Sequence, residues 1–267
     1  MNNFRHFIIT RFNIPLGNAY STDKSGCAID EGWLKDRVLL FEKYCFPSIR
    51  NQVCNDFYWL GFFDKESPLF LMDKISRWKS ECSQLVPICV TDYDEFKKVL
   101  MTAVVENSVG YDYVITTRLD NDDALLPDAV RKIQKNFIPQ HKTIIDIEDG
   151  YCYDATKNVL YLMKENKSNQ FISLIEERSL VETVFRHNHR HWIRVANLIT
   201  VKVPLWIEVV HERNLYNSRG GVALLKKADA VNYLSLKISF VNSLMYRVRD
   251  ECVDFVKYIK KMLNRNS

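Results

Sequence analysis

Between Ile115 and Pro127 the chain reads ITTRLDNDDALLP, an apolar, β-branched run that ends in three carboxylates within four positions, Asp120, Asp122 and Asp123. Like charges that close repel, so a chain that keeps them together usually carries a cation to offset them. If the backbone is extended or turning there, Asp120 and Asp122 share a side and offer hard oxygen ligands to one divalent ion. Mg2+ or Mn2+ would suit, with diphosphate oxygens completing the shell. Asp123 can join them, orient a ligand, or favour the start of a helix at Pro127 through the helix dipole. The remaining reading is a solvated acidic turn, because short acidic motifs recur by chance.

Other acidic and phosphate chemistries fit less well. An EF-hand loop needs glycine at its sixth position, where this chain has Leu125. No Gly-x-x-x-x-Gly-Lys phosphate loop occurs, and eight glycines in 267 residues leave little glycine-rich loop of any kind. No lysine stands ready to support an early aspartyl-phosphate nucleophile. Seven cysteines, an odd set without a Cys-x-x-Cys pair, argue against a disulfide framework or zinc module and for a reducing compartment. A net charge of +4 permits an anionic ligand or membrane surface without calling for nucleic acid.

The elements around the carboxylates alternate. Residues 7–10 and 58–63 read as strands, the second ending at Asp64; residues 85–90 and 113–117 read as two more. Leu34, Val38, Phe41 and Cys45 mark a helix over residues 33–46. Ser67 and Pro68 read as an N-cap and first helical residue, Phe96 to Val104 as a third helix, and Pro127 to Phe137 as a fourth. This βα rhythm predicts an α/β fold with a mostly parallel sheet flanked by helices. Such sheets bind ligands at the carboxyl ends of their strands. Arg11 and Asn13, Asp64, and Asp120 to Asp123 all fall at those ends.

The second half reads as a small antiparallel part, with a hairpin turning at Asp149-Gly150 and an extended run over 159–163. His187, His189 and His191 would share one face of a strand, although the arginines among them favour a solvated basic segment. Trp192 and Trp206 read as core anchors, and Arg37 as the partner of Asp36 or Glu42. From Val241 a helix would place Leu244, Val248, Cys252, Phe255, Ile259 and Met262 on one face, with Lys257, Lys260, Lys261 and Arg265 at its end. That pattern suits packing on the body, or contact with a membrane surface or partner. Charges and Pro204 break the apolar run 195–210, so no span is expected there. No signal peptide is expected either, and the expected location is cytoplasmic.

The ordered segments ITRFN (9–13), WLKDRVLLFEKYCFPSIRNQ (33–52), FYWLGFFD (57–64), YDYVITTRLDNDDAL (111–125), EDGYCYD (148–154), FISLIEE (171–177) and PLWIEVVHERNLYNSRGG (204–221) resemble the GT-A glycosyltransferases, and more narrowly a bacterial rhamnosyltransferase family. The resemblance implies a GT-A-like (Rossmann-like) catalytic domain over residues 1–235, with a nucleotide-binding half about 1–125 and an acceptor half about 126–235. Residues 236–267 would form an amphipathic basic helix. It implies transfer of a sugar, rhamnose on the narrower reading, from a nucleotide-diphosphate donor to a hydroxyl of a glycan or lipid-linked acceptor in polysaccharide biosynthesis. The enzyme would be cytoplasmic or peripheral at the inner face of the membrane. Asp120, Asp122 and His211 would hold Mn2+ or Mg2+, and an imidazole ligand favours manganese. Arg11, Asn13, Asp64, Arg118 and Asp120 would bind the nucleotide sugar, Asp64 through the base unless it only caps its turn. Inversion needs a general base, for which Glu176 is the first choice, with Glu177 and Asp149 behind it. The alternatives are a silent nucleotide-sugar-binding or scaffold protein, and a nucleotidyltransferase on a similar sheet.

Overall fold

The first strand, β1 (Phe4–Arg11), has five consecutive buried positions from His6 to Thr10. Burial on both faces requires neighbours in the sheet and cover above and below, the situation of a strand inside a parallel sheet. The structure, a computed structural model, describes residues 3–15, 31–212, 221–249 and 251. In it β1 lies between β2 (Tyr58–Asp64) and β4 (Tyr113–Arg118), parallel to both, and β3 (Leu85–Val90) extends the parallel set beyond β2.

Helices cover both faces. On one side α1 (Glu31–Leu40) runs through a π-helical turn (Phe41–Cys45) into α2 (Phe46–Arg50), beside α3 (Leu69–Glu81). Phe41 and Trp78 meet there with ring centroids 4.5 Å apart, packed with Phe12 and Trp59. Each fully buried aromatic of this kind stabilises the fold by about 1.5–3 kcal/mol. On the other side α4 (Tyr93–Glu106) sets Phe96 edge-on to Phe62 at 4.8 Å. Its N-cap, Asp92, accepts the backbone N–H groups of Asp94 and Glu95, a cap worth about 1 kcal/mol. Pro68 stands at the N-cap of α3, one residue ahead of the expected register, while the Ser67 hydroxyl donates to the Asp64 carbonyl and closes the preceding turn.

The later elements are β5 (Ala124–Leu125), α5 (Ala129–Lys135), β6 (Thr143–Ile147), β7 (Gly150–Asp154), β8 (Val159–Met163), β9 (Ile172–Glu177), α6 (His189–Val195), β10 (Asn197–Val201), β11 (Trp206–Val210) and β12 (Val222–Ala223). Among the described residues they complete two sheets, one ordered β10-β6-β9-β4-β1-β2-β3 and one ordered β12-β8-β7-β11-β5. Strand β9 runs antiparallel between β4 and β6. The class is the one expected, a mixed α/β fold with a mostly parallel main sheet and antiparallel pairing in the second half.

Three expectations are corrected. Asp149-Gly150 is not a hairpin turn: β6 and β7 belong to different sheets, and the chain crosses between them at this point. Gly150 is required by close approach, since a Cβ there would lie 2.1 Å from the Trp206 indole. The hairpin is the next pair, β7 with β8, whose turn is closed by Asp154 accepting from Thr156 and Lys157. Nor do the three histidines alternate on a strand. Asn188 caps α6, so His187 and His191 come together at 4.2 Å and His189 turns elsewhere. Finally, residues 240–249 are helical, but they pack through buried Ser243 and through Tyr246 on Tyr161. Leu244 and Val248 therefore stay exposed, together with Phe240, Val241 and Met245. Cys252, Phe255, Ile259, Met262 and the four basic residues lie outside the described residues.

Trp192 and Trp206 are core anchors, fully buried, each indole N–H donating to a main-chain carbonyl (Val184 and Ile147). Among the described residues no helix is long and apolar enough to cross a membrane.

Candidate functional site

The carboxylate loop leaves β4 at its carboxyl end and is tied down at each step. Leu119 N–H donates to Ile9 O, the Asn121 amide donates to Phe12 O, and Asp123 N–H donates to Asp120 O. Asp123 in turn accepts the Val209 N–H of β11 at 2.9 Å. Gln52, just past α2, donates to Leu126 O and accepts from Val130 N–H, which fixes the exit into α5. The loop is thus held between β1, the α1–α2 run and β11, at the edge where open α/β sheets bind ligands.

Within this frame each carboxylate has a different partner. Asp120 takes a two-pronged ion pair from Arg118, with Nε to Oδ1 at 3.2 Å and Nη2 to Oδ2 at 2.7 Å. Burial alone would raise its pKa, but the charges of Arg118 and Arg11 outweigh burial and hold it below the usual carboxylate range. Asp122 Oδ2 lies 2.5 Å from Arg37 Nη1 and 3.0 Å from His211 Nε2. Burial again opposes ionisation, and Arg37 together with the His211 hydrogen bond overcomes it, setting the carboxyl at about 2. Asp123 goes the other way: burial, then the charges of Asp122, Asp120 and Glu208, push it well above the usual range. The carboxylates of one short loop are therefore driven apart in acidity, two downward and one upward.

Arg11 ends β1 beside this loop. Its guanidinium carbon sits 5.0 Å from the Phe185 ring centre, and that of Arg118 sits 5.8 Å from the same ring. The Arg11 Nε is buried and has no hydrogen-bond partner among the described residues. His189, from the start of α6, is held below the ordinary histidine pKa, first by burial and then by the charge of Arg118.

Asn13 and Asp64 stand next door, at the ends of β1 and β2. Asn13 accepts Asp64 N–H and donates to Ser67 Oγ, and Asp64 Oδ1 accepts Glu66 N–H. In this structure Asp64 caps its own turn.

The structure brings Arg11, Arg118, Asp120, Asp122 and His211 together, and it does not bring Glu176 to them. On β9 Glu176 pairs with Val114, whereas Ser173 pairs with Thr117 nearer the loop. Six residues of chain separate Val114 from Asp120, about 20 Å at strand rise. Both Glu176 oxygens are occupied, accepting the N–H groups of Glu182 and Thr183. Asp149 is buried and accepts Glu165 N–H. A cavity of about 530 Å³ lined by Tyr111, Asp112, Tyr113, Glu177, Arg178 and Ser179 opens at the same far edge as Glu176.

Two side chains at the site were missed. Glu208 lies on β11 within reach of the Asp122 and Asp120 charges and hydrogen-bonds Gln170; burial in the first place pushes it to about 7. It was visible as the lone acid in the strand WIEVV. Arg37 was assigned to Asp36 or Glu42, but Glu42 instead holds Lys74, Arg77 and the Trp78 indole. The clue was its spacing: Leu34, Arg37, Val38 and Phe41 share one helical face, so this arginine points inward with the core residues.

For a divalent ion, the donors suit in kind. An ionised carboxylate and an imidazole nitrogen already converge at 3.0 Å, with a second carboxylate two residues away on the same loop; a metal ligand must be deprotonated, and Asp122 is. Among the described residues no three His, Cys, Asp or Glu form a ready-made cage, because Asp120 is turned to Arg118.

A family model described as "Putative rhamnosyl transferase" matches residues 5–221. No curated protein matches the chain. Solved structures similar to it include S. aureus TarS 1-349 in complex with UDP, with 11% identity over 77% of this chain and 60% of that one and a TM-score of 0.43. GalNAc-T7 with UDP, GalNAc and Mn2+ matches at 9% identity over 77% of this chain and 43% of that one, with a TM-score of 0.42. A 4-diphosphocytidyl-2C-methyl-D-erythritol synthase matches at 10% identity over 80% and 93%, with a TM-score of 0.36. The chain spans about 60% of the length of the TarS segment.

Proposed function

The chain belongs to the rhamnosyl transferase family, and on that premise we propose that it is a metal-dependent glycosyltransferase. The donor is a nucleotide-diphosphate sugar, rhamnose by the family's own description, and the acceptor is a hydroxyl of a glycan or lipid-linked glycan. The observation that carries this reading is the convergence of Asp122 and His211, beside Asp120, Arg118 and Arg11, at the carboxyl ends of β1 and β4. Asp120, Asp122 and His211 would hold Mn2+ or Mg2+. A divalent ion there supplies Lewis-acid neutralisation of the negative charge that builds on the departing diphosphate.

The rest falls to the chain itself. Arg11 and Arg118 add fixed positive charge where the diphosphate oxygens would lie, worth most in a site shielded from water. Asn13 and Asp64 border the nucleotide. Glu208 replaces Glu176 as the group that takes the acceptor proton, since it stands beside the loop and its pKa of about 7 suits a general base at neutral pH. The exposed apolar stripe of residues 240–249, continued in the sequence by a basic end, supports peripheral contact with an anionic membrane.

Thermal shift of the protein with UDP-, dTDP- and GDP-sugars, with and without Mn2+, tests the reading. A metal-dependent rise in Tm with one nucleotide family, followed by sugar transfer from that donor, is expected. Stabilisation by no nucleotide would sink it. Membrane contact is tested separately by sedimentation with anionic liposomes, which truncation after Leu236 should abolish.

A further inference from the structure

The loop that would hold the cation is already neutralised from within. Two ionised carboxylates, Asp120 and Asp122, are faced by three guanidinium groups: Arg118 on Asp120, Arg37 on Asp122, and Arg11 alongside. Each of these two carboxylates already has a guanidinium against it, and a +2 ion placed beside three arginines would be repelled at short range.

Of the three, Arg37 is in the way. Its Nη1 contacts Asp122 Oδ2 at 2.5 Å, the same oxygen that faces His211 Nε2 at 3.0 Å, and it also donates to Asn121 Oδ1 at 3.1 Å. An ion joining Asp122 to His211 would have to share that oxygen with the guanidinium. Both side chains are nearly buried, 10% exposed for Arg37 and 13% for Asp122, so little water is available to soften the conflict. Arg37 also has somewhere to remain: its guanidinium carbon lies 4.9 Å from the Trp33 ring centre one helical turn earlier, a face that can keep a cation which has left its carboxylate.

We propose that Arg37 is the resident counter-ion of the metal-free protein, and that it must release Asp122 before a divalent cation can bind between Asp122 and His211. The guanidinium and the metal then compete for one carboxylate oxygen. The arginine keeps the loop folded in the absence of metal and weakens metal binding in return. This inference rests on the metal reading above, but it concerns α1 and its charge rather than the ligands.

The test uses Mn2+ alone, counted as free ion by electron paramagnetic resonance, on the full chain and on Arg37→Gln and Arg37→Lys, together with Tm in chelator and in Mn2+. In Arg37→Gln the expected result is Mn2+ binding at least about tenfold tighter than in the unaltered protein, with a lower Tm in chelator that Mn2+ restores. Arg37→Lys, which keeps the charge, should stay close to the unaltered protein in both. Equal or weaker Mn2+ binding in Arg37→Gln overturns the competition while leaving the metal site standing. If neither the unaltered protein nor Arg37→Gln binds Mn2+, with or without UDP, the metal reading fails and takes this proposal with it. Should Arg37→Gln yield no folded protein in chelator, recovery of folded protein when Mn2+ is supplied supports the proposal, and failure to recover it overturns it.

Discussion

A half-buried glutamate, Glu208 on β11, and a buried one, Glu176 on β9, stand at opposite ends of β9, and both have a carboxyl pushed to about 7. Glu208 meets that strand at its beginning through Gln170, beside Asp120 and Asp122. Glu176 lies towards its end, with both oxygens accepting backbone N–H groups. The first cause of the shift is the same in each, loss of water around the charge. What differs is the company: one carboxyl faces a cluster of charges at the binding edge, and the other finishes the hydrogen bonding of the chain after its own strand. A displaced pKa marks burial, and only position turns it into chemistry.

That contrast can be broken or sharpened by measurement. The largest effect is expected outside the pair, at the loop that gives Glu208 its setting. Asp122→Asn should lower turnover by about 10³-fold or more, because several kcal/mol of charge stabilisation is lost and each 1.36 kcal/mol is a factor of ten. Retained circular dichroism would show that the fold persists, and near-normal turnover would remove the loop from the reaction. Glu208→Gln should lower kcat by about 10²- to 10⁴-fold, the range for a general base. It should also abolish a rise in kcat with pH centred near 7, because the base works only once it has lost its proton. If that rising limb survives the substitution, the base is another residue.

Glu176→Gln is the mirror image: kcat within about twofold of the unaltered enzyme, and stability lower by about 1–3 kcal/mol as one backbone N–H loses its acceptor. A folded pKa near 7 against an ordinary 4.5 means that Glu176 stabilises the fold fully below about pH 4.5 and that this contribution fades as pH rises through 7. Urea midpoints measured between those limits should therefore fall less steeply in Glu176→Gln. The smallest effect, confined to acid, belongs to Asp122. Its pKa is depressed from 3.8 to about 2, so the stability it contributes is complete above about pH 4 and disappears as pH falls towards 2.

The two halves of the molecule were not equally legible in the sequence. The parallel strands announced themselves because β1, β2 and β4 are apolar runs that each end in a polar residue, which located Arg11, Asp64 and Asp120 at one edge. The second sheet did not, since its pairing depends on contacts distant in the chain. Asp149-Gly150 has the composition of a turn, but its glycine answers to the indole of Trp206, more than fifty residues later, which leaves no room for a Cβ. Glu176 was misjudged for the same reason: a strand is recognised from its alternation, and its direction relative to β4 is not. Arg37 was readable in principle, because it falls on the apolar face of α1, but its partner lies 85 residues away.

The ties on the carboxylate loop have a consequence in time. Leu119 through its backbone, and Asn121 and Asp123 through their side chains, tie it to β1, the chain after β1, and β11, so an exchange of cations at Asp122 can proceed with the main chain in place. Only side chains then need to move. Loop and domain motions extend to microseconds and milliseconds, and an exchange that moves only side chains does not wait on them. In a site built this way the slow part of the exchange is the parting of the nearly buried Arg37–Asp122 pair itself, and not the opening of a loop.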